Sequence, residues 1–170
     1  MSWPSGRSRD GGIDEIPLPA PRGRLSVCGK HAVAPDPEAA LAAAGADVVV
    51  CLCEEPELAD RYPDYVAWLR AAAPHRALWW PIPDLHAPTA DEAEDLLAQL
   101  RARLDRGDAV LMHCGAGIGR AGTIAAALLM SMGTARGDAV ALVASRRPMA
   151  GPEAGAQAEL LDALALRPRA

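Results

Sequence analysis

Short apolar runs alternate along the chain with longer segments whose apolar residues recur at helical spacing. The runs at 24–28, 47–53, 76–80 and 108–113 are rich in Val and Leu, as in strands that are buried on both faces of a sheet. Helical patterns occupy 36–44, 62–73, 89–106, 120–132, 138–146 and 153–166. Because strands and helices alternate, the pattern predicts an α/β domain with a central, largely parallel sheet of four to five strands flanked by helices.

Start and stop signals support two of these helices. Asp36 is a predicted N-cap, Pro37 follows at the first helical position, and Gly45 marks the stop. Thr89 and Glu92 have the spacing of a capping box, in which each side chain bonds to the backbone N–H of the other residue. These signals predict helix boundaries independently of the apolar periodicity.

The first part of the chain has a different composition from the rest. Residues 1–22 are rich in Pro, Gly, Arg and Ser, which predicts a flexible N-terminal arm, and residues 23–170 then form a single domain. The N-terminus shows no apolar stretch of the signal-peptide kind, and the apolar segment 121–132 is too short to cross a bilayer. We therefore expect a cytoplasmic protein.

Charge and cysteine content limit the function classes. The 170 residues include 17 Lys and Arg against 22 Asp and Glu, a net charge of −5. This balance argues against nucleic-acid or membrane-surface binding, but not against a local phosphate site. The cysteines at 28, 51, 53 and 114 match no zinc-ligand spacing and no C-x-x-C redox motif. The first three are therefore expected to be small buried apolar side chains.

The segment after the fourth predicted strand carries most of the candidate chemistry. Cys114 ends the strand, five residues follow of which three are Gly, and Arg120 opens a helix. Glycines allow successive N–H groups to form an anion nest, and the helix start adds positive potential at the same point. An Arg there grips two phosphate oxygens, and the same positive groups are expected to lower the pKa of Cys114 and make it a nucleophile. The alternative is a glycine-rich connection with an inert buried Cys.

The pattern His113-Cys114-x5-Arg120 resembles the signature of the protein tyrosine and dual-specificity phosphatases, and the resemblance extends over about residues 24–165. It implies the fold of that family, a phospho-cysteine intermediate formed by Cys114, a phosphate clamp at Arg120, and no metal or organic cofactor. It gives His113 a supporting role in the loop and not that of a general base. The backbone amides implied to bind phosphate belong to Gly115, Ala116, Gly117, Ile118 and Gly119.

A second candidate lies upstream in the segment 79–84, Trp-Trp-Pro-Ile-Pro-Asp. Cleavage of a phosphate monoester needs a proton for the leaving oxygen. The resemblance implies that Asp84 supplies it from a loop and then activates the water. The alternative for Asp84 is a turn cap after Pro, and Asp91 is the fallback acid, although it stands in the first turn of a helix where acids are favoured anyway. His86 is more typical of a loop residue than of a catalyst.

Three further polar residues are weaker candidates. Gln157 follows an Arg-Pro segment, as in several branches of the family where such a Gln helps to place the hydrolytic water; an exposed helical Gln is an equal alternative. Glu54 and Glu55 follow the second predicted strand, and some family members use a nearby acid to order the signature Arg. For both, a solvated loop acid is the favoured interpretation.

Ala121 departs from the family pattern, which has Ser or Thr directly after the Arg. That hydroxyl stabilises the leaving thiolate when the phospho-cysteine breaks down, so its absence predicts slow hydrolysis of the intermediate. Thr123 lies about 200° around the helix and does not substitute.

The function expected is hydrolysis of phosphotyrosine in a protein or peptide, with phosphoserine and phosphothreonine as further substrates. The loop has no Lys, which disfavours a highly anionic lipid headgroup. One alternative is a phosphate- or phosphopeptide-binding module with little turnover, suggested by Ala121. A sulfur- or arsenate-handling enzyme on a similar Cys loop is another.

Overall fold

Five strands form the sheet in the computed structural model, which describes residues 11–19 and 23–168. They are β1 (Asp14–Ile16), β2 (Arg24–Gly29), β3 (Val48–Cys51), β4 (Ala77–Trp79) and β5 (Ala109–Cys114). The spatial order is β1-β2-β5-β3-β4, with β1 antiparallel to β2 and all other neighbours parallel. The predicted α/β class with a largely parallel sheet is confirmed.

Helices cover both faces of this sheet. The described residues form α1 (Lys30–Val33), α2 (Pro37–Ala44), α3 (Pro56–Ala59), α4 (Pro63–Ala72), α5 (Ala90–Asp105), α6 (Gly119–Ser131), α7 (Arg136–Arg146) and α8 (Gly155–Ala165). The Asp36 cap and the Thr89–Glu92 capping box are both present, and Gly45 ends α2 with φ 60°. Within the described ranges, none of these helices combines the length and apolar character needed to cross a bilayer.

Two apolar layers enclose the sheet. One contains α5 to α8, with α6 buried along almost its whole length because α5, α7 and α8 all pack on it. Leu96, Leu100 and Leu104 of α5 are buried in this layer, and each contributes roughly 1.5–3 kcal/mol. The second layer holds α2, α3 and α4 and includes the buried Tyr65.

The central strand β5 places the signature segment at the carboxyl edge of the sheet. Its neighbours there are Gly29 of β2, opposite Cys114, and Cys51 of β3, opposite His113. Since side chains alternate along a strand, Cys114 and His113 belong to opposite layers. Ligands of parallel α/β sheets bind at this edge.

Part of the segment 1–22, for which the sequence predicts a flexible arm, forms a strand in the described residues. Residues 1–10 and 20–22 lie outside the described residues, but Asp14–Ile16 form an edge strand whose Ile16 is buried in the core. Three residues carry too little periodicity to be recognised in a sequence. The strand depends instead on pairing with β2 and on an ion pair between Asp14 and Arg147. The single-turn helices α1 and α3 escaped prediction for the same reason of length.

Candidate active site

The signature loop, residues 114–120, turns sharply between β5 and α6. Cys114 is 2% exposed, and its sulfur accepts hydrogen bonds from the backbone N–H groups of Gly117 and Ala121. Gly117 has φ 72°, and a Cβ at that position would overlap the Cys28 carbonyl. Glycine is therefore required at Gly117 both for its backbone conformation and for space. The loop curls around the sulfur as the sequence predicts for an anion nest.

Opposing influences act on the Cys114 thiol. Burial raises its pKa and outweighs the Ala121 N–H, the Arg120 charge and the Gly117 N–H, all of which lower it. The sequence predicted a lowered pKa. The difference has a physical cause in the tertiary structure, because burial disfavours the charged thiolate more than these groups favour it. The Arg120 charge is in addition paired with a carboxylate.

That carboxylate is Glu57, which forms a two-pronged ion pair with Arg120. Nη1 lies 2.8 Å from Oε2 and Nη2 lies 2.7 Å from Oε1, and Nη1 also donates to the Ile82 carbonyl at 2.8 Å. Arg120 is only 4% exposed, so these bonds satisfy a charge that has left water. Burial raises the pKa of Glu57, but the Arg120 bonds and the Glu54 N–H together bring it below its ordinary value.

Sequence reasoning missed Glu57 and weighed its neighbours instead. Glu54 contributes only its N–H, which donates to Glu57 Oε2 at 2.7 Å, and Glu55 pairs with Arg70 at 2.8 Å on the surface. A signal was available in Pro56, which begins α3 and places an acid in the first turn of that helix.

Asp84 also lies close to Arg120. Its Oδ1 is 3.4 Å from Arg120 Nη2 and accepts the Leu85 N–H at 3.0 Å, and its side chain is exposed. Asp91, the fallback acid, forms an ion pair with Arg167 at 2.8 Å and does not line this pocket. His86 bonds through Nδ1 to the Asp84 carbonyl at 2.7 Å and shapes the loop.

These groups meet in one pocket of about 390 Å³ at the carboxyl edge of the sheet. Cys114 and the signature loop line it together with acidic and basic side chains. The lining residues include Lys30, His31, Glu57, Asp84, Leu85, Cys114, Gly115, Ala116, Gly119, Arg120 and Glu153.

Comparison with known proteins identifies this arrangement. Residues 22–168 match the family described as "PTP-SAK: Swiss Army Knife protein, DSP-PTPase phosphatase domain". The chain belongs to this family. It is a cysteine-dependent protein tyrosine/dual-specificity phosphatase, as its signature predicted.

Individual relatives agree with that assignment. A glycine-to-alanine mutant form of the phosphatase Tk-PTP is 32% identical with a TM-score of 0.70, over 88% of this chain and 93% of that one. Kinase associated phosphatase, with its catalytic cysteine replaced by serine, shares the fold at 20% identity and a TM-score of 0.74, over 92% of this chain and 97% of that one. Protein tyrosine phosphatase type IVA 3 of Mus musculus is 36% identical over 70 residues, which is 40% of either chain.

His113 of this phosphatase is fully buried and hydrogen-bonded at both ring nitrogens. Nδ1 donates to the Cys114 carbonyl at 3.0 Å, which leaves Nε2 to accept the Tyr65 hydroxyl at 2.6 Å. These bonds hold the backbone of the signature loop from the face of β5 opposite Cys114. They are consistent with a structural role for His113, and they leave neither ring nitrogen free for a proton transfer.

Gln157 differs from the exposed alternative, because its side chain is 1% exposed at the start of α8. Its Oε1 accepts the Glu153 N–H at 2.7 Å, and its Nε2 donates to the His86 carbonyl at 3.3 Å. Gln157 therefore connects α8 to the loop that carries Asp84. Glu153, which sequence reasoning did not consider, lines the pocket against Gly119.

Arg147 is a third missed residue, fully buried beneath the signature loop. It connects the loop to the N-terminal segment, bonding to the carbonyls of Gly117 (2.8 Å), Ala116 (2.9 Å), Gly12 (3.1 Å) and Gly11 (3.3 Å) and to the Asp14 carboxylate (2.8 Å). Because the carbonyls point to Arg147, the Gly117 N–H is directed to the opposite side, where the sulfur lies.

Proposed function

We propose that this phosphatase hydrolyses phosphotyrosine in proteins or peptides through a phospho-cysteine intermediate, with phosphoserine and phosphothreonine as poorer substrates. The observation that supports it is the shared pocket, in which a buried thiol, a guanidinium and an exposed carboxylate surround one space. Phosphatases of the matched family make a phosphorylated protein the substrate class that fits best. The proposed enzyme is cytoplasmic and uses no cofactor, and the negative charge of the chain supports one that binds neither nucleic acid nor membrane.

In the first step, the Cys114 thiolate attacks phosphorus while the bond from phosphorus to the tyrosyl oxygen breaks. Asp84 transfers its proton to that oxygen, so tyrosine leaves neutral. The inward N–H groups and the Arg120 fork hold the three equatorial oxygens. Arg120 already presents two parallel donors to the Glu57 carboxylate, which is the arrangement that two phosphate oxygens require.

In the second step, a water oxygen attacks the phosphorus of the phospho-cysteine while Asp84 accepts a proton from that water. The sulfur–phosphorus bond then breaks. Gln157 is the sequence candidate for placing this water. Since both ends of its carboxamide are already bonded, we assign it to holding the Asp84 loop in position.

Leu85 favours an aryl substrate. It is 52% exposed in the pocket rim next to Asp84, and its φ of 63° is unfavourable for a Leu. Strain of this kind collects at binding sites, where an exposed apolar side chain can cover a phenyl ring. The three carboxylates of Glu57, Asp84 and Glu153 in the same rim oppose a headgroup with several phosphates.

Hydrolysis of an aryl phosphate and of phosphotyrosine and phosphoserine peptides tests the proposal. Cys114→Ser is expected to abolish turnover, and Asp84→Asn to lower kcat by about 10²–10⁴-fold. Asp91→Asn is the matched control, an acid of the same segment outside the pocket, and is expected to stay near wild type. Leu85→Ala is expected to raise KM for the phosphotyrosine peptide more than for the phosphoserine peptide. Full activity of Asp84→Asn would reject the acid assignment.

The second candidate function, a phosphopeptide-binding module with little turnover, is favoured by Ala121. Its N–H contacts the sulfur, but its methyl group lies in the apolar core where the family pattern has a hydroxyl. Rapid-mixing kinetics separate the two functions. A burst of product followed by slow turnover, with the slow phase accelerated in Ala121→Ser, supports a hydrolase limited by its second step. Phosphopeptide binding with no released phosphate supports the binding module.

A further inference from the structure

Three potential metal ligands converge behind the signature loop, on the opposite face of β5 from the catalytic thiol. The sulfurs of Cys51 and Cys53 and a ring nitrogen of His113 all lie within 4.8 Å of one another, and all three residues are fully buried. Their placement follows from the sheet. Cys51 and Cys53 are two residues apart and so share a face, and Cys51 pairs in register with His113 on the neighbouring strand.

The surroundings of this cluster are those of a metal centre. His113 Nδ1 donates to the Cys114 carbonyl at 3.0 Å, and a metal-binding His almost always has such a bond at its second nitrogen. The Trp79 indole donates to the Cys53 carbonyl at 2.7 Å and fixes that end of the Cys-Leu-Cys segment. The Tyr65 hydroxyl, 2.6 Å from Nε2, is the hydrogen-bond partner that a cation bound to this nitrogen would displace.

We propose that Cys51, Cys53 and His113 form a binding site for a soft divalent cation of the Zn²⁺ class. Two thiolates neutralise the charge of the ion, which suits an apolar interior, and their two protons pass to solvent on binding. Tetrahedral zinc separates its ligand atoms by roughly 3.5–4 Å, so the cluster needs to contract by at most about 1 Å. Thiolate and imidazole ligands select this class over Mg²⁺ or Ca²⁺.

This site is independent of the proposed function, because Cys114 faces the other layer of the sheet. A cation bound at this site would nevertheless affect the signature loop, because the His113 imidazole also donates to the Cys114 carbonyl. It would also take Nε2 away from the Tyr65 hydroxyl.

Metal binding is tested on the full chain in a Cys114→Ser background, which removes the catalytic thiol as a competing ligand. The chain is refolded with Zn²⁺ or with Cd²⁺, and bound metal and the ultraviolet thiolate-to-metal band are measured after dialysis. We expect about one equivalent of metal with two thiolates per ion. Cys51→Ser and Cys53→Ser should each weaken binding more than about 100-fold.

Cys28→Ser is the matched control, since Cys28 is a buried thiol on the same face, opposite His113 in β2, and lies outside the three-ligand cluster. It is expected to bind metal like the background. X-ray absorption at the zinc edge of the background chain gives a readout that does not depend on how the serine variants fold, and should show two sulfur ligands and one imidazole. Metal retained without Cys51 and Cys53, or a first shell lacking sulfur, would overturn the proposal.

Discussion

Arg120 and Arg147 are both buried beside the signature loop, but they contact opposite sides of it. Arg120 lies where the amides face the sulfur, and its fork is bonded to the Glu57 carboxylate, with Asp84 also 3.4 Å away, at the wall of an open pocket. Arg147 lies on the carbonyl side, and its donors bond to five acceptors in the loop and in the segment before β1. Arg120 lines a pocket, whereas Arg147 is enclosed within the fold.

The difference shows how one residue type serves two purposes. Both arginines have lost their hydration, so each needs a carboxylate nearby. In the pocket, Glu57 bonds to the two Arg120 donors that we propose to bind phosphate oxygens. Beneath the loop, the Asp14 carboxylate and the loop carbonyls saturate Arg147, and this arrangement holds the amides in the inward direction that phosphate binding requires. Substitutions of these residues and of their partners test whether Arg120 serves the pocket and Arg147 serves the fold.

Arg147→Ala is expected to have the largest effect. It removes the guanidinium that bonds to the Asp14 carboxylate and to two loop carbonyls, at a cost of about 3–5 kcal/mol in the free energy of unfolding. Urea unfolding measures the loss. Arg146→Ala is the control, because Arg146 is the exposed neighbour on the same helix and should change stability by less than about 0.5 kcal/mol. Equal effects of the two variants would contradict the role of Arg147.

Arg120→Lys is expected to act on catalysis more than on stability. Lys keeps the positive charge beside Glu57 but loses the planar fork, so kcat/KM for an aryl phosphate should fall by about 10²–10³-fold. The free energy of unfolding should change less than in Arg147→Ala. If Arg120→Lys lost stability in proportion to its loss of activity, the result would assign Arg120 a structural role like that of Arg147.

Asp14→Asn tests the bonds between Arg147 and the N-terminal segment, residues 11–14. The amide still accepts a hydrogen bond but no longer neutralises the guanidinium, and we expect a loss of about 1–3 kcal/mol in stability. KM for an aryl phosphate should rise as the loop loosens. Glu15→Gln is the matched control, since Glu15 is exposed on the same strand and only approaches Arg24 at 3.8 Å. An unchanged Asp14→Asn would show that β1 does not support the loop.

Glu57→Gln should produce the smallest effect, a shift in the pKa of Cys114. Removing the carboxylate leaves the Arg120 charge free to act on the sulfur, which favours the thiolate and lowers the pKa of Cys114. The pH dependence of alkylation by iodoacetamide measures this, and the profile should move to lower pH. Glu54→Gln is the control, because only the backbone of Glu54 contacts the pair. A profile moved to higher pH would show that Glu57 orders Arg120 more than it screens it.

Patterns among residues close together in the sequence made much of the fold and part of the site predictable. The strands around β3 and β5 are continuous apolar runs, and caps such as Thr89 depend on residues three positions apart. The pocket residues Cys114 and Arg120 were visible because one loop contains both. Asp84 was a candidate because it follows a strand in a segment that resembles the family, and it lines the pocket.

Residues that act across the fold were not predictable in this way. Glu57 meets Arg120 from 63 positions away, and Asp14 meets Arg147 from 133 positions away. The cysteine spacing matched no zinc pattern because the third ligand of the proposed site, His113, is on another strand. In each case the pattern of one segment contains no information about its partner.

The sequence alone determined the alternation of strands and helices, the signature loop and the family, because these depend on neighbours within one turn or one strand. Tertiary structure decided which acid faces Arg120, that burial raises the pKa of Cys114, and that the segment before β1 is tied to the loop through Arg147. The physical reason is that desolvation and ion pairing depend on what the folded chain brings within a few ångströms, whatever its distance along the sequence.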